Sequence, residues 1–303
     1  MRNFTFKGLF LTAVFALLWS LTIQAAEDGL ITKQITIKLK EAGTLPDRID
    51  ASKKYLITNL KLVGEINGTD WKMIREMAGS NYNGYSTKGK LSTLDLSEAK
   101  IVKGGDSYYS GDNCYTSNDE IGEYAFHDCS GLTSLILPAG ITSISDCAFA
   151  YCSGLTSLTL PDGITSIGKS AFRGCSGLTS LNLPAGITEI GSYAFRGCSG
   201  LTSIYVYAEK VPKIGWDVFV GVDANKCTVY VPKGTYDDYI SSDFRYFWDI
   251  VEFDATGIDK TTTSTDAKEV SRYSVNGQRL VDPTKGLNIV KYSDGSVKKV
   301  AVE

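Results

Sequence analysis

LTSLTLPDGITSIGKSAFRGCSG, residues 155–177, reads as one coil of a larger structure, because nearly the same 23 letters stand on either side of it. LTSLILPAGITSISDCAFAYCSG precedes it at 132–154, and LTSLNLPAGITEIGSYAFRGCSG follows at 178–200. The leucines that open the copies, Leu132, Leu155, Leu178 and Leu201, are spaced by 23. A fixed period of that length marks a solenoid, in which each copy is too short to bury its apolar face alone and neighbours share one continuous core.

Inside the copy, Leu158 and Leu160 alternate with Ser157 and Thr159. That period predicts a strand with Leu155, Leu158 and Leu160 facing the core. Pro161 cannot donate to a ladder and Gly163 supplies a turn, so the strand ends there. Ile164 and Ile167 point back inside. Lys169 to Arg173 reads as a short helical turn closed by Gly174, with Ala171 and Phe172 plugging the core opposite the strand. Cys129, Cys152, Cys175 and Cys198 also recur every 23 residues. They are expected to form a column of buried thiols rather than bridges, leaving Cys114, Cys147 and Cys227 as the ones that could react or pair.

The repeat Leu-Thr-Ser-Leu-x-Leu-Pro-x-Gly-Ile-Thr-Ser-Ile-Gly-x-x-Ala-Phe-x-x-Cys-Ser-Gly resembles that of the BspA-like leucine-rich-repeat surface proteins of bacteria, over about residues 55–253 once divergent end copies are included. The resemblance implies an α/β leucine-rich-repeat solenoid, a β-rich right-handed superhelix with a cap at each end. It also implies an extracellular protein or glycan ligand and a role in adhesion rather than catalysis. No cofactor or metal is expected with it.

The flanks fit an exported chain. Met1 to Ala26 carries Arg2 and Lys7, an apolar run from Gly8 to Leu21, and small residues at Ala25-Ala26, the pattern of a secretory signal peptide. Without it, 29 bases face 34 acids, and so mild an acidic balance with no basic stretch disfavours nucleic acid. No later stretch is long and apolar enough to span a membrane.

Residues 27–90 read as the N-terminal cap, with a strand at Ile35 to Leu39 and a helix through Trp71, Ile74 and Met77 capped by Thr69 or Asp70. The solenoid runs over 91–253. Tyr236 to Phe253 are its C-terminal cap, and Val229 to Pro232 its last strand. Residues 254–270, rich in Ser and Thr, are a linker. The tail, 271–303, has hairpin signals at Asn276-Gly277 and Asp294-Gly295 and reads as a small all-β module. Through Tyr273, Gly277, Gly286 to Val290 and Lys298 to Val300 it resembles the C-terminal sorting domain of type IX secretion. That resemblance implies attachment at the outer surface, although the chain ends in an acid, Glu303, where the family usually ends basic.

Two places are expected to touch a ligand. The copy opened by Leu91 is 41 residues long, 18 more than the others, and the surplus is the insertion Lys103 to Glu120. An insertion after which the frame resumes at Ile121 is expected to add nothing to the core. Its Tyr108, Tyr109, Tyr115 and Asp112, set among Ser, Gly and Asn, have the composition of a binding loop. The second place is the outward strand column of Thr159, Asn182 and Tyr205, which varies where the neighbouring serine column is uniform.

The alternative is an exported enzyme or nucleotide-binding protein, since Gly163 to Ser170 (GITSIGKS) matches the phosphate-loop pattern through Lys169 and Ser170. That loop works only between a buried strand and a helix N-terminus, and the sister copies GITSISDC and GITEIGSY explain the letters by the repeat. His127, the single histidine, is read as a surface residue. Asp106, Asp112, Asn113, Asp119 and Glu120 are read as solvated, because their spacing fits no calcium loop. Asn67-Gly-Thr69 fits a glycosylation acceptor, a match short enough to arise by chance.

Overall fold

The computed structural model describes residues 29–110, 114–255, 269–274, 279–280, 282–283, 286–292 and 297–302. The expected signal peptide, Asp112 and Asn113, most of the expected linker and both expected tail hairpin turns lie outside them. Each copy contributes one strand to a parallel sheet in which leucine meets leucine. Ile35–Lys38, Asn59–Ile66, Thr93–Ile101, Ser134–Ile136 and Ser157–Thr159 form one group, with Leu94 beside Leu135 and Leu135 beside Leu158. Ser180–Leu183, Ser203–Val206, Thr228–Pro232 and Asp249–Phe253 form the next, with Leu181, Ile204, Val229 and Ile250 in line. Thr228–Pro232 is therefore not the last strand of the array, as its sequence suggested. Asp249–Phe253 pairs with it in parallel and takes that place.

A second parallel sheet of two-residue strands, Glu120–Ile121, Ser143–Ile144, Ser166–Ile167, Glu189–Ile190 and Lys213–Ile214, runs along another side. Between the two sheets lie the leucines, the isoleucines and a file of phenylalanines. Phe126, Phe149, Phe172 and Phe195 are fully buried. Successive rings stack at centroid distances of 5.2, 5.0 and 5.2 Å. The file continues to Phe219 at 5.9 Å.

The expected helical turn is not helical. Tyr124, Cys147, Ser170, Tyr193 and Asp217 all have φ between 54° and 62°, and Gly174 and Gly197, four residues beyond Ser170 and Tyr193, have φ of 74° and 76°. Two left-handed residues per coil exclude an α-helix. They turn the backbone amides toward the next coil instead: Phe126 N–H donates to Ala148 O, Phe149 to Ala171 O, Phe172 to Ala194 O and Phe195 to Val218 O. The turns are thus a second ladder running along the array. Its hydrogen bonds offset the strain of holding non-glycine residues at positive φ.

The thiol column is as read. Cys129, Cys152, Cys175 and Cys198 are buried, and no disulfide joins any of the seven cysteines. The thiols of Cys152, Cys175 and Cys198 donate to the carbonyls of Phe126, Phe149 and Phe172 at 2.9, 3.1 and 3.1 Å. Threonines do likewise at the surface: the hydroxyls of Thr156, Thr188 and Thr202 donate to the carbonyls of Thr133, Thr165 and Thr179 at 3.1, 3.0 and 3.1 Å.

Before the repeats, the helix Gly68–Met77 is capped by Asn67 and not by Thr69 or Asp70. The Asn67 side chain accepts from Thr69 N–H at 3.0 Å while Asp70 accepts from Asn67 N–H at 2.9 Å, a capping box. Trp71 of this helix packs on Phe126 at 5.2 Å and donates its indole N–H to Ala125 O. After the array, the described parts of the tail form a four-stranded antiparallel sheet from Glu269–Ser274, Arg279–Leu280, Gly286–Tyr292 and Val297–Val302.

Candidate ligand-binding surface

Strand register builds the surface. Because Cα partners are aligned coil to coil, the second outward position runs in line from Asp95 through Ile136 to Thr159, and from Asn182 through Tyr205 and Tyr230 to Val251. The column passes from aliphatic and small polar side chains to aromatic ones. Tyr205 and Tyr230 stack with centroids 4.4 Å apart and planes 7° from parallel. Phe253 meets Tyr205 edge-on at 5.9 Å and Tyr207 edge-on at 5.3 Å. Burial raises the phenol pKa of both Tyr205 and Tyr207, so each keeps its O–H as a donor across the ordinary pH range. Thr159, Asn182 and Tyr207 line a hollow of about 580 Å³ together with Ser97 and Asp162. Ala255 and Ile289 border the same hollow.

The insertion is placed elsewhere and is built differently from the expected projecting loop. Gly104–Tyr109 and Cys114–Thr116 pair as an antiparallel hairpin. Tyr108 is only 1% exposed, lies 6.4 Å from Trp71, and donates its hydroxyl to Glu123 O at 2.8 Å. It cannot serve as a ligand contact, and the expectation that the insertion adds nothing to the core is corrected. A tyrosine that reaches back over the helix covers apolar surface the adjacent coil would otherwise expose. Tyr109 is half-buried, stacked on Tyr124 at 4.8 Å with the Arg75 guanidinium 5.0 Å from its ring. Tyr115, 57% exposed, is open to solvent. The hollow that holds Thr159 and Asn182 includes no residue of the insertion, so the two expected contact regions are separate.

His127 is not a free surface residue either. Its ring is enclosed by Tyr109, Tyr124 and Tyr151 at 5.7, 5.4 and 5.6 Å, and Nδ1 lies 2.8 Å from Asp128 Oδ2. Gly163 to Ser170 ends in the strand Ser166–Ile167 followed by a turn in which Ser170 has φ 55° and is 5% exposed. No helix N-terminus follows it, and the Lys169 amide donates to Asp146 at 2.6 Å. The stretch has repeat geometry. Asn67, the sugar-acceptor match, is held in the helix cap with its side chain against Gly43 and Gly105. Among the described residues, no three His, Cys, Asp or Glu side chains are grouped to hold a metal, and no helix is long and apolar enough to cross a membrane.

Tyr230, which extends the column, and Tyr207 and Phe253, which pack beside it, were missed from the sequence. The coil after Leu201 runs 25 residues from Tyr205 to Tyr230 instead of 23, which hides the alignment.

Six copies of the BspA type leucine rich repeat region match residues 119–237. No curated protein matches the chain. Among solved structures, it is similar to the T. pallidum leucine rich repeat protein (19% identity, 70% of this chain and 84% of that one, TM-score 0.34). It is also similar to the pneumococcal vaccine antigen PcpA (16% identity, 73% and 67%, TM-score 0.37) and to a leucine-rich repeat protein from Bacteroides ovatus ATCC 8483 (16% identity, 56% and 66%, TM-score 0.20). The phased leucines, the two parallel sheets and the family match agree, and residues 119–237 of this chain are a leucine-rich-repeat region of BspA type.

Proposed function

We propose that the chain is an exported, non-catalytic binding protein of the cell surface that takes an extracellular protein ligand on its strand face. The observation that carries this reading is the outward column in which Thr159 and Asn182 lead to the stacked pair Tyr205 and Tyr230. Stacked phenols are rigid, amphipathic and half-buried before any ligand arrives, the properties that concentrate binding energy in a few residues. Export follows from the pattern of Met1 to Ala26, and adhesion to host proteins from the resemblance of the repeat. The helix Gly68–Met77 and the segment Tyr236 to Phe253 are assigned as caps, since each lays aromatic side chains on an end of the phenylalanine file. The tail sheet is assigned as a sorting or anchoring module.

The test is binding of the full mature chain to immobilised extracellular-matrix proteins. Asn182→Ala with Tyr205→Ala should weaken the captured complex by about tenfold or more, the scale of a lost interface anchor, while Tyr115→Ala should not. Loss in the Tyr115 variant alone would move the site to the insertion hairpin. Deleting residues 271–303 should abolish surface display without abolishing binding. Unchanged display would remove the sorting role.

A further inference from the structure

The last coil carries a second site on its turn side. Two positions after the short strand, behind Gly122, Ser145, Gly168 and Gly191, the earlier coils place Glu123, Asp146, Lys169 and Ser192. The final coil places Trp216, which is 80% exposed. Its backbone does what any residue there would do: the carbonyl accepts from Tyr193 N–H at 2.8 Å and the amide donates to the Ser192 hydroxyl at 3.1 Å. The indole is not needed for the fold.

The ring borders a concavity of about 680 Å³, shared with Asp217, Val220, Asp243, Arg245 and Tyr246. The 3-10 helix Asp243–Tyr246 explains how that wall is made. Side chains three apart on such a helix point the same way, so Phe244 and Phe247 turn inward, packing on Phe219 at 5.4 and 5.0 Å. Asp243, Arg245 and Tyr246 are left facing outward across from Trp216. Tyr246 is pinned by donating its hydroxyl to Val222 O at 2.9 Å, which holds its ring in the wall. Asp217 is steadied at the rim by Arg196, 3.4 Å away. Among the described residues neither Asp243 nor Arg245 is engaged in an ion pair.

We propose that this concavity is a carbohydrate-binding site, with Trp216 and Tyr246 as stacking platforms and Asp217, Asp243 and Arg245 as hydroxyl partners. A pyranose ring presents a face of C–H bonds edged by hydroxyls. An exposed indole covers the face, and carboxylate and guanidinium groups around it accept from and donate to the edge. The volume lies in the range of small-ligand sites. With Asp217 paired to Arg196, one carboxylate, Asp243, stands against one guanidinium, Arg245, a balance that suits a neutral sugar rather than a sulfated or phosphorylated one. A protein interface core would be depleted of carboxylates such as Asp217 and Asp243, which stand among these rings. The site is on the turns and not the strands, so it does not depend on the strand-face reading.

The experiment is calorimetric titration of the full mature chain with four neutral oligosaccharides: cellohexaose, maltohexaose, xylohexaose and chitohexaose. At least one should bind, and Trp216→Ala should weaken it by about tenfold, the order expected for one lost stacking platform. Trp216→Phe should restore most of the affinity, Asp243→Ala should reduce it, and Asn182→Ala should leave it unchanged. Unchanged thermal unfolding of Trp216→Ala shows that the loss is local. No binding of any of the four, or binding that survives Trp216→Ala, overturns the proposal. So does concentration-dependent self-association of the native chain that Trp216→Ala abolishes, because the patch is then a protein interface.

Discussion

Phe149 and Phe172, one coil apart, lie face to face with ring centroids 5.0 Å apart and planes 4° from parallel. Phe172 stacks equally on Phe195, so each ring in the file is a wall for two neighbours. Phe172→Ala therefore opens a cavity that no single coil can close by itself, and should cost about 3–5 kcal/mol. Thr159→Ala on the outward face should stay within about 0.5 kcal/mol. Denaturant titration of both variants checks this, and equal midpoints would refute the inward and outward assignment.

The insertion gives a contrast within one hairpin. Tyr108 is buried against Trp71 and satisfies Glu123 O, while Tyr115 is exposed. Tyr108→Ala should lower stability by about 3 kcal/mol, as for other large buried rings, and Tyr115→Ala should be silent in thermal unfolding. Replacing Lys103 to Glu120 by a short glycine-serine link should likewise lower the melting temperature. An unchanged melting temperature would restore the insertion to a mere appendage.

His127 should make the junction between insertion and coil sensitive to acid. Burial pulls its pKa below the ordinary 6.5, Asp128 opposes the change and Arg75 adds to it. The phenol rings of Tyr109, Tyr124 and Tyr151 also pack against the imidazole. A base with a depressed folded pKa binds fewer protons folded than unfolded, so stability is undiminished above 6.5 and falls as pH drops through the folded value. His127→Gln should flatten the unfolding midpoint between pH 7 and 5. The same slope in variant and native chains would exclude the histidine as its source.

The thiols should divide sharply by reactivity. Cys147 alone among the seven is only half-buried. With an aromatic disulfide reagent at pH 8, one thiol should react in the native protein and all seven in denaturant. Burial lifts Cys129 to about 11 and Cys198 to about 12 from an ordinary 9.0. Folding therefore favours the neutral thiol: stability is intact below pH 9 and declines as pH rises toward those values. Cys198→Ala should reduce that alkaline decline, measured as the unfolding midpoint between pH 9 and 11.

The strands, the inward leucines and isoleucines and the thiol column were legible because all are set by period, and the period is written in Leu132, Leu155, Leu178 and Leu201. What was not legible depends on partners one coil away. Lys169 to Arg173 has helix-compatible letters, yet the amides of Ser170 and Phe172 are claimed by the carbonyls of Ser192 and Ala194 in the next coil, and Ser170 stands at positive φ. Tyr108 sits in a polar stretch that carries no period, so nothing nearby distinguishes it from Tyr115. The Asn67 cap was missed because its side chain competes with Thr69 and Asp70 for the same role, and only geometry decides between them. Of the site, Thr159, Asn182 and Tyr205 followed from alternation along the strands, whereas the rings beside Tyr205 required the register.

The turn ladder is indifferent to which coils it joins. Phe149 N–H meets Ala171 O and Phe172 N–H meets Ala194 O by the same offset, so residues 155–177 could be excised or duplicated with every donor still facing an acceptor of the same kind. Each such event would change the length of the array by one strand spacing, about 4.8 Å. A gene with near-identical neighbouring units can undergo that change by misaligned recombination with itself. The reach of the protein is therefore heritable in whole steps, and a one-residue slip anywhere in residues 132–200, which would break the frame, is the change selection has to remove.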